Sequence, residues 1–158
     1  MEKIKLWIDK SIDVTVNVLM VFLLIITSAQ VFWRYVLNSP IAWSEELARY
    51  TFVWLVFLGG CTAFRENKHM AVDLLPNILS PALRKIQEAI VKILIAVFLI
   101  ALLMISPEII QLTMDQPSAS LDIPIAFLYV AFPASAFIML LDMGLDVILG
   151  WKRRGEAR

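Results

Sequence analysis

Two long stretches of this chain carry no charged side chain. Twenty uncharged residues separate Asp13 from Arg34, and nineteen separate Asp122 from Asp142. Because a helix rises about 1.5 Å per residue, each stretch is about 30 Å long, which matches the hydrocarbon core of a bilayer. Of all residues 60% are hydrophobic, whereas soluble domains are about 45–50% apolar. The sequence therefore describes an integral membrane protein.

Four stretches are apolar enough to cross a bilayer, where continuous apolar runs form helices that satisfy their own backbone hydrogen bonds. We place the spans roughly at residues 13–36, 46–65, 86–107 and 123–149. Between the second and third spans, roughly residues 68–85 predict a short amphipathic segment that lies along the cytoplasmic surface. The predicted fold class is an all-α membrane protein with four transmembrane helices, and residues 1–158 form one membrane domain.

The basic residues are distributed unevenly over the connections between spans. Twelve of the 14 lysines and arginines lie before the first span, between the second and third spans or after the fourth, if Lys92 is counted with the middle connection. The remaining two are Arg34 and Arg49. Short cytoplasmic loops retain basic residues, so this bias predicts that both termini and the middle connection are cytoplasmic.

The inventory of reactive side chains excludes several functions. The chain has one cysteine, Cys61, and one histidine, His69, so a disulfide relay, a bis-histidine haem and an ordinary zinc site are excluded. It lacks a Walker-type phosphate loop. Basic and acidic residues are equally numerous, 14 each, which argues against a nucleic-acid partner. We predict that the chain is not an enzyme and binds no cofactor.

The richest polar motif opens the second span and reads Trp43-Ser44-Glu45-Glu46-Leu47-Ala48-Arg49. Glu45 and Glu46 precede Arg49 by four and three positions, which favours contact on one helical face. An unpaired arginine at the bilayer centre costs about 3 kcal/mol, so an arginine near its edge needs partners. Three interpretations stay open: an intrahelical salt bridge, a polar anchor to Arg34 or to another subunit, and a carboxylate that binds protons or substrate.

The interior of the predicted spans lacks transport chemistry. Gly59, Gly60 and Ala63 form a small-residue patch that lets another helix approach, and Pro133 predicts a kink in the fourth span. However, no span carries an acidic residue near its centre, as a proton-coupled four-helix exporter would need. The chain therefore resembles a scaffold for a partner. An autonomous small transporter or channel, dimeric in form, is the competing class, and a membrane anchor for a cytoplasmic enzyme is disfavoured by the short terminal segments.

Several motifs resemble those of one family. They are Arg34, Trp43 to Arg49, Leu58-Gly59-Gly60, the middle stretch from Arg65 to Asp73 that contains His69, the stretch from Ser120 to Pro124, and then Tyr129, Pro133 and Met139. Their order and spacing resemble the small, Q-type membrane subunit of tripartite ATP-independent periplasmic (TRAP) transporters. The resemblance covers essentially the whole chain.

The resemblance implies a sodium-driven uptake system of a bacterial or archaeal inner membrane. In that family a periplasmic binding protein delivers an organic acid, such as a dicarboxylate, keto acid or sialic acid, to a large and a small membrane subunit. Substrate and sodium bind in the large subunit, and the small subunit extends the scaffold against which the elevator part moves. We therefore expect no substrate, metal or cofactor site in this chain. Its expected partners are the large subunit, the binding protein and membrane lipid.

Eleven residues are expected to contact partners or to anchor the structure. They are Arg34, Trp43, Glu45, Glu46, Arg49, Gly59, Gly60, His69, Asp73, Pro124 and Pro133. The four charged residues among them, from Arg34 to Arg49, are expected to form one polar cluster at the outer membrane edge. This cluster would fix the chain on the large subunit or present a surface to the binding protein.

Overall fold

The structure, a computed structural model, describes residues 2–39, 41–66 and 81–156. They form the helices α1 (Glu2–Tyr35), α2 (Ala42–Glu66), α3 (Pro81–Met114), α4 (Ala126–Tyr129) and α5 (Ala131–Glu156). Four helical segments are long and apolar enough to cross a membrane, and α4 with the first part of α5 makes the fourth. Within the described ranges the only strand-like pairing is an isolated bridge between Pro117 and Pro124. The predicted all-α architecture with four spans is confirmed.

The amphipathic segment expected at roughly residues 68–85 falls mostly outside the described residues. Only residues 81–85 are described, and they belong to the beginning of α3. At its other end, α3 continues through Pro107 to Met114, seven residues beyond the expected end of the third span. A proline removes one backbone donor without forcing a membrane helix to end, because nearby groups satisfy the freed carbonyls. Pro107 frees the carbonyl of Leu103, and the hydroxyl of Ser106 donates to the neighbouring Leu102 carbonyl at 2.5 Å.

The fourth span is interrupted at Val130, between α4 and α5. Pro133 has no N–H to donate to the carbonyl one turn before it, so the helical ladder loses a bond here. The backbone nevertheless keeps a right-handed helical conformation, with φ −61° and ψ −26° at Val130, and the Val130 amide donates to the Ala126 carbonyl at 2.9 Å. The irregularity thus lies in the span where Pro133 predicts one, and it does not reverse the chain.

The helices form an open layer. Within the described residues α1 packs on α2, α2 packs on α5, and α5 packs on α3, whereas the outer helices α1 and α3 have no comparable contact with each other. Little of this layer is buried: the buried share is 6% for the first span and 22% for the fourth. Both broad faces of the layer are therefore available to lipid or to another protein.

Trp54 joins α2 to the fourth span. Its indole Nε1 donates to the Phe127 carbonyl of α4 at 3.1 Å. One turn along α2, the rings of Phe57 and Phe132 lie 4.4 Å apart. The tryptophan in the middle of the second span therefore serves the packing between helices.

Replacing Trp54 with phenylalanine should lower the free energy of unfolding by about 1 kcal/mol or more, because one hydrogen bond is lost and the phenyl ring fills less space than the indole. Titration of the purified protein in detergent with sodium dodecyl sulfate measures this. Trp43→Phe is the matched control, since Trp43 is half exposed and donates no hydrogen bond within the described part of the chain. Equal losses in the two variants would contradict the prediction.

Candidate functional site

Polar contacts within the layer gather at its two ends. We call the end that holds residues 36–39, 41 and 115–125 the loop end. We call the opposite end the terminal end, because it holds the beginning of α1, the end of α2 and the later turns of α5. Lys5 of α1 contacts Asp146 of α5, so the beginning of α1 and the later turns of α5 lie at this same end of the layer.

At the loop end, Glu46 binds the backbone of the loop between α3 and α4. Its Oε1 accepts a hydrogen bond from the Ala119 amide at 3.2 Å, and its Oε2 accepts from the Ser120 and Leu121 amides at 2.9 and 2.8 Å. Three consecutive amides directed at one carboxylate form an anion-binding nest. Glu46 thus connects the first turns of α2 to a loop that lies more than 70 residues later in the sequence.

The loop also holds itself together. The Ser118 amide donates to the Ile123 carbonyl and the Ile125 amide donates to the Gln116 carbonyl, each at 2.9 Å. Asp122 adopts φ 57°, a left-handed conformation that aspartate tolerates better than most residues do. This compact hairpin keeps the three amides pointed toward α2.

Beside the nest, Glu45 forms an ion pair with Arg34 that links the end of α1 to the beginning of α2. About half of each side chain is exposed, 51% for Arg34 and 52% for Glu45. The pair therefore stays largely in contact with the surroundings of the subunit, and its charges are only weakly desolvated.

Arg49 is not part of either contact. Its side chain is exposed, and within the described ranges it has no carboxylate at salt-bridge distance. The reason is that the two candidate partners on its own helix are engaged elsewhere, Glu45 by Arg34 and Glu46 by the loop amides. The four residues expected to form one polar cluster are thus divided into an ion pair, a loop clamp and an exposed cation.

At the terminal end, Arg65 joins α2 to α1. One guanidinium nitrogen lies 3.0 Å from Asp9 and another lies 2.5 Å from Asp13. The Thr62 hydroxyl donates to the same Asp13 carboxylate at 3.2 Å. A planar guanidinium can serve two carboxylates placed one helical turn apart, which an ammonium group does less well.

Lys5 extends this polar network to α5. Its ammonium group lies 2.9 Å from Asp142 and also contacts Asp146. The side chains of Lys5, Asp9, Arg65 and Asp142 line a cavity of about 30 Å³ between α1, α2 and α5. Lys5 is thus the basic residue that pairs with both aspartates of α5.

Sequence reasoning did not select Lys5, Asp9, Asp13 or Arg65 as anchors. The sequence does contain a pattern that indicates this site: Asp9 and Asp13 are four residues apart and therefore lie on one face of α1. Carboxylates on one face at the edge of an apolar helix need a cation nearby. What the sequence alone does not reveal is that α2 presents Arg65 at the same height.

The remaining selected residues lie at separate places. Trp43 is half exposed at the loop end, and Pro124 faces Pro117 across the hairpin. A Cβ added to Gly59 would lie 4.0 Å from Val16 of α1, whereas one added to Gly60 would meet no atom within 4 Å. His69 and Asp73 lie outside the described residues.

The described residues offer no metal centre: no group of three or more His, Cys, Asp and Glu side chains among them could hold a metal ion. The charged residues instead hold neighbouring helices and the hairpin together. Ion pairs and the carboxylate nest fasten α1, α2, α5 and the hairpin to one another at the two ends of the layer. In the described part, no ion pair joins helices in the apolar middle of the layer.

Comparison with known proteins shows that this chain is similar to components of transporters. The family profile of the DctQ component of tripartite ATP-independent periplasmic transporters matches residues 23–153. A putative TRAP transporter small permease protein of Haemophilus influenzae is 29% identical over 147 residues, which are 88% of this chain and 89% of that protein. A second Haemophilus influenzae protein of the same description is 39% identical over 75 residues, which are 48% of this chain and 47% of that protein.

A longer relative contains a region similar to most of this chain. The isethionate TRAP transporter permease protein DctMQ of Oleidesulfovibrio alaskensis is 27% identical over 150 residues. These residues are 89% of this chain but 24% of that protein. The chain therefore spans about a quarter of the length of DctMQ, and its alignment with the second Haemophilus influenzae protein spans about half of that relative.

Proposed function

Because the chain belongs to the DctQ family, the small permease subunits of TRAP transporters, we propose that it is the scaffold of a sodium-driven uptake system for an organic acid. In this proposal a larger permease carries the substrate and sodium, and a periplasmic binding protein delivers the substrate. The substrate is a dicarboxylate, keto acid or sialic acid, selected by the two partners. This chain contributes a fixed surface on which the larger permease rests.

The open layer is the observation that carries this proposal. A protein that worked alone would gain stability by closing its helices around a core, because helix packing in a bilayer comes from close contact between helices. Here the helices are fastened at both ends and stay open along both faces. Such a layer suits a support that completes its packing on another protein. In DctMQ, a region similar to 89% of this chain is part of a single longer permease, which agrees with a permanent partnership of this kind.

The orientation follows from the basic residues. Lys5, Lys10 and Arg65 lie at the terminal end, and short cytoplasmic connections retain such residues. We therefore place the terminal end in the cytoplasm and the loop end in the periplasm of a bacterial or archaeal inner membrane. The hairpin, the Arg34–Glu45 pair and Trp43 would then form the periplasmic surface of the subunit, which the binding protein can reach.

Reconstitution of this chain in proteoliposomes tests the proposal. With its large permease, the binding protein and an inward sodium gradient, the chain should support uptake of a labelled organic acid. Vesicles that lack either membrane subunit or the gradient should show only background uptake. Uptake by this chain alone would instead support an autonomous small transporter and would contradict a scaffold role.

A further inference from the structure

One exposed stripe of α2 differs from the other exposed surfaces of the layer. Its members are spaced by three or four residues and therefore lie on one helical face. They are the exposed residues Glu45, Arg49, Phe52, Val56 and Ala63, together with the partly exposed Gly60. Other faces of α2 serve the subunit itself: Gly59 and Thr62 face α1, and Phe57 packs on α5.

Arg49 gives this stripe a charge that the subunit does not neutralise. It lies seven residues after the first residue of α2, which is about 10 Å along the helix axis. Phe52 and Val56, the next members of the stripe, are half exposed and apolar. A cation at the edge of such a surface is unfavourable in hydrocarbon unless an anion faces it. The occupant of the stripe therefore carries a negative charge at the level of Arg49.

Gly60 and Ala63, on the same stripe as Arg49, favour a helix as the occupant. A Cβ on Gly60 would meet nothing within 4 Å, so the glycine is not needed for packing within this chain. Small residues on an exposed stripe allow the backbone of another helix to come close, whereas lipid chains adapt to large side chains equally well. The exposed face of α3 shows the contrast, since its large apolar residues Ile93, Val97 and Phe98 suit lipid.

We propose that this stripe of α2 docks one transmembrane helix of the large permease, and that this helix carries an aspartate or glutamate opposite Arg49. The same helix would pass closest to α2 at Gly60, which is 11 residues or about 16 Å from Arg49 along the axis. A single straight helix can make both contacts, which a single lipid headgroup cannot. The inference rests on the proposed function and specifies which face of the scaffold meets its partner.

Co-purification of this chain with its large permease tests whether the α2 stripe contacts the permease. The two proteins are co-expressed, the complex is purified through a tag on the permease, and the retained small subunit is quantified. Arg49→Gln and Gly60→Leu should each weaken retention by about tenfold or more, and Arg49→Glu should weaken it further, because one partner of a desolvated charge pair or a close backbone contact is lost. The isolated variants should keep wild-type thermal stability, since Arg49 forms no ion pair within the described chain and a Cβ on Gly60 would meet no atom within 4 Å.

Two matched controls lie elsewhere on the layer. Lys92→Gln removes an exposed cation from α3, and Gly144→Leu fills an equally open glycine position on α5. Both controls should retain the permease at wild-type levels. If all variants behave like these controls, the stripe is not the docking face.

A photoreactive amino acid at Val56 identifies the occupant directly. The expected adduct is with a permease helix that contains an acidic residue, and replacing that residue with arginine should restore retention of Arg49→Glu. Adducts with phospholipid alone would show that the stripe faces lipid and would overturn the inference while leaving the scaffold role intact. Failure of the wild-type chain to co-purify with the permease would instead contradict the proposed function itself.

Discussion

Replacing Arg65 with alanine should lower the free energy of unfolding by about 2 kcal/mol or more, because two carboxylates lose their shared cation. Asp9 and Asp13 lie one turn apart on α1 and would then repel each other. The site is partly buried, with 18% of the Arg65 side chain and 20% of the Asp9 side chain exposed. Removing one partner from such a site costs more than the pair contributes, since the remaining charges stay desolvated.

Arg34→Ala is the control for this prediction, because it breaks an ion pair between the same two helices at the opposite end. About half of the Arg34 and Glu45 side chains is exposed, so this variant should lose less than about 1 kcal/mol. Arg65→Lys should fall between the two, since one ammonium group replaces two guanidinium contacts. Unfolding by sodium dodecyl sulfate in detergent compares all three variants, and equal losses for Arg65→Ala and Arg34→Ala would show that burial does not decide the effect.

The four spans were predictable from the sequence because a bilayer imposes their length and composition directly. The uncharged stretches before Arg34 and after Asp122 correspond to α1 and to α4 with α5. The connections were harder to delimit. The third span was expected to end at about residue 107, whereas α3 continues to Met114, because a proline such as Pro107 can remain inside a helix when hydrogen-bond partners are available nearby.

The partners of the charged residues were not predictable in the same way. Spacing along a helix predicted contact between Glu46 and Arg49, but Glu46 is bound by backbone amides of residues 119–121. Every residue except proline has such an amide, so the sequence does not indicate which amides bind the Glu46 carboxylate. The same holds for Arg65, whose partners depend on the relative height of α1 and α2.

The order of helices in the layer also had no clear sequence signal. In a soluble protein the face toward the core is apolar and the opposite face is polar, but lipid is as apolar as a protein core. The outward residues of α1 and α3 therefore look like inward ones. Only unusual residues on an exposed face, such as Arg49 and Gly60 on α2, distinguish a surface made for another protein from one made for lipid.

Replacing Glu46 with alanine should release the hairpin at the loop end from α2. The amides of Ala119, Ser120 and Leu121 would lose their common acceptor, and we expect their hydrogen exchange to become faster by about tenfold or more. Amides within α2 and α5 should keep wild-type rates, because the helices are also held by Arg65 and by packing. Hydrogen–deuterium exchange with mass spectrometry on peptides that cover residues 115–125 measures this difference.

Variants of Glu46 and its neighbour separate the clamp from a general charge effect. Glu45→Ala removes an acidic residue from the same turn of α2 but breaks only the exposed pair with Arg34, so exchange in the hairpin should stay slow. Glu46→Gln keeps one side-chain oxygen and should give an intermediate rate, because a neutral acceptor binds amides more weakly than a carboxylate. If the hairpin exchanges equally fast in all variants and in the wild type, its internal hydrogen bonds alone hold it. If only the Glu46 variants accelerate it, the first turn of α2 sets the shape of the surface that we place toward the binding protein.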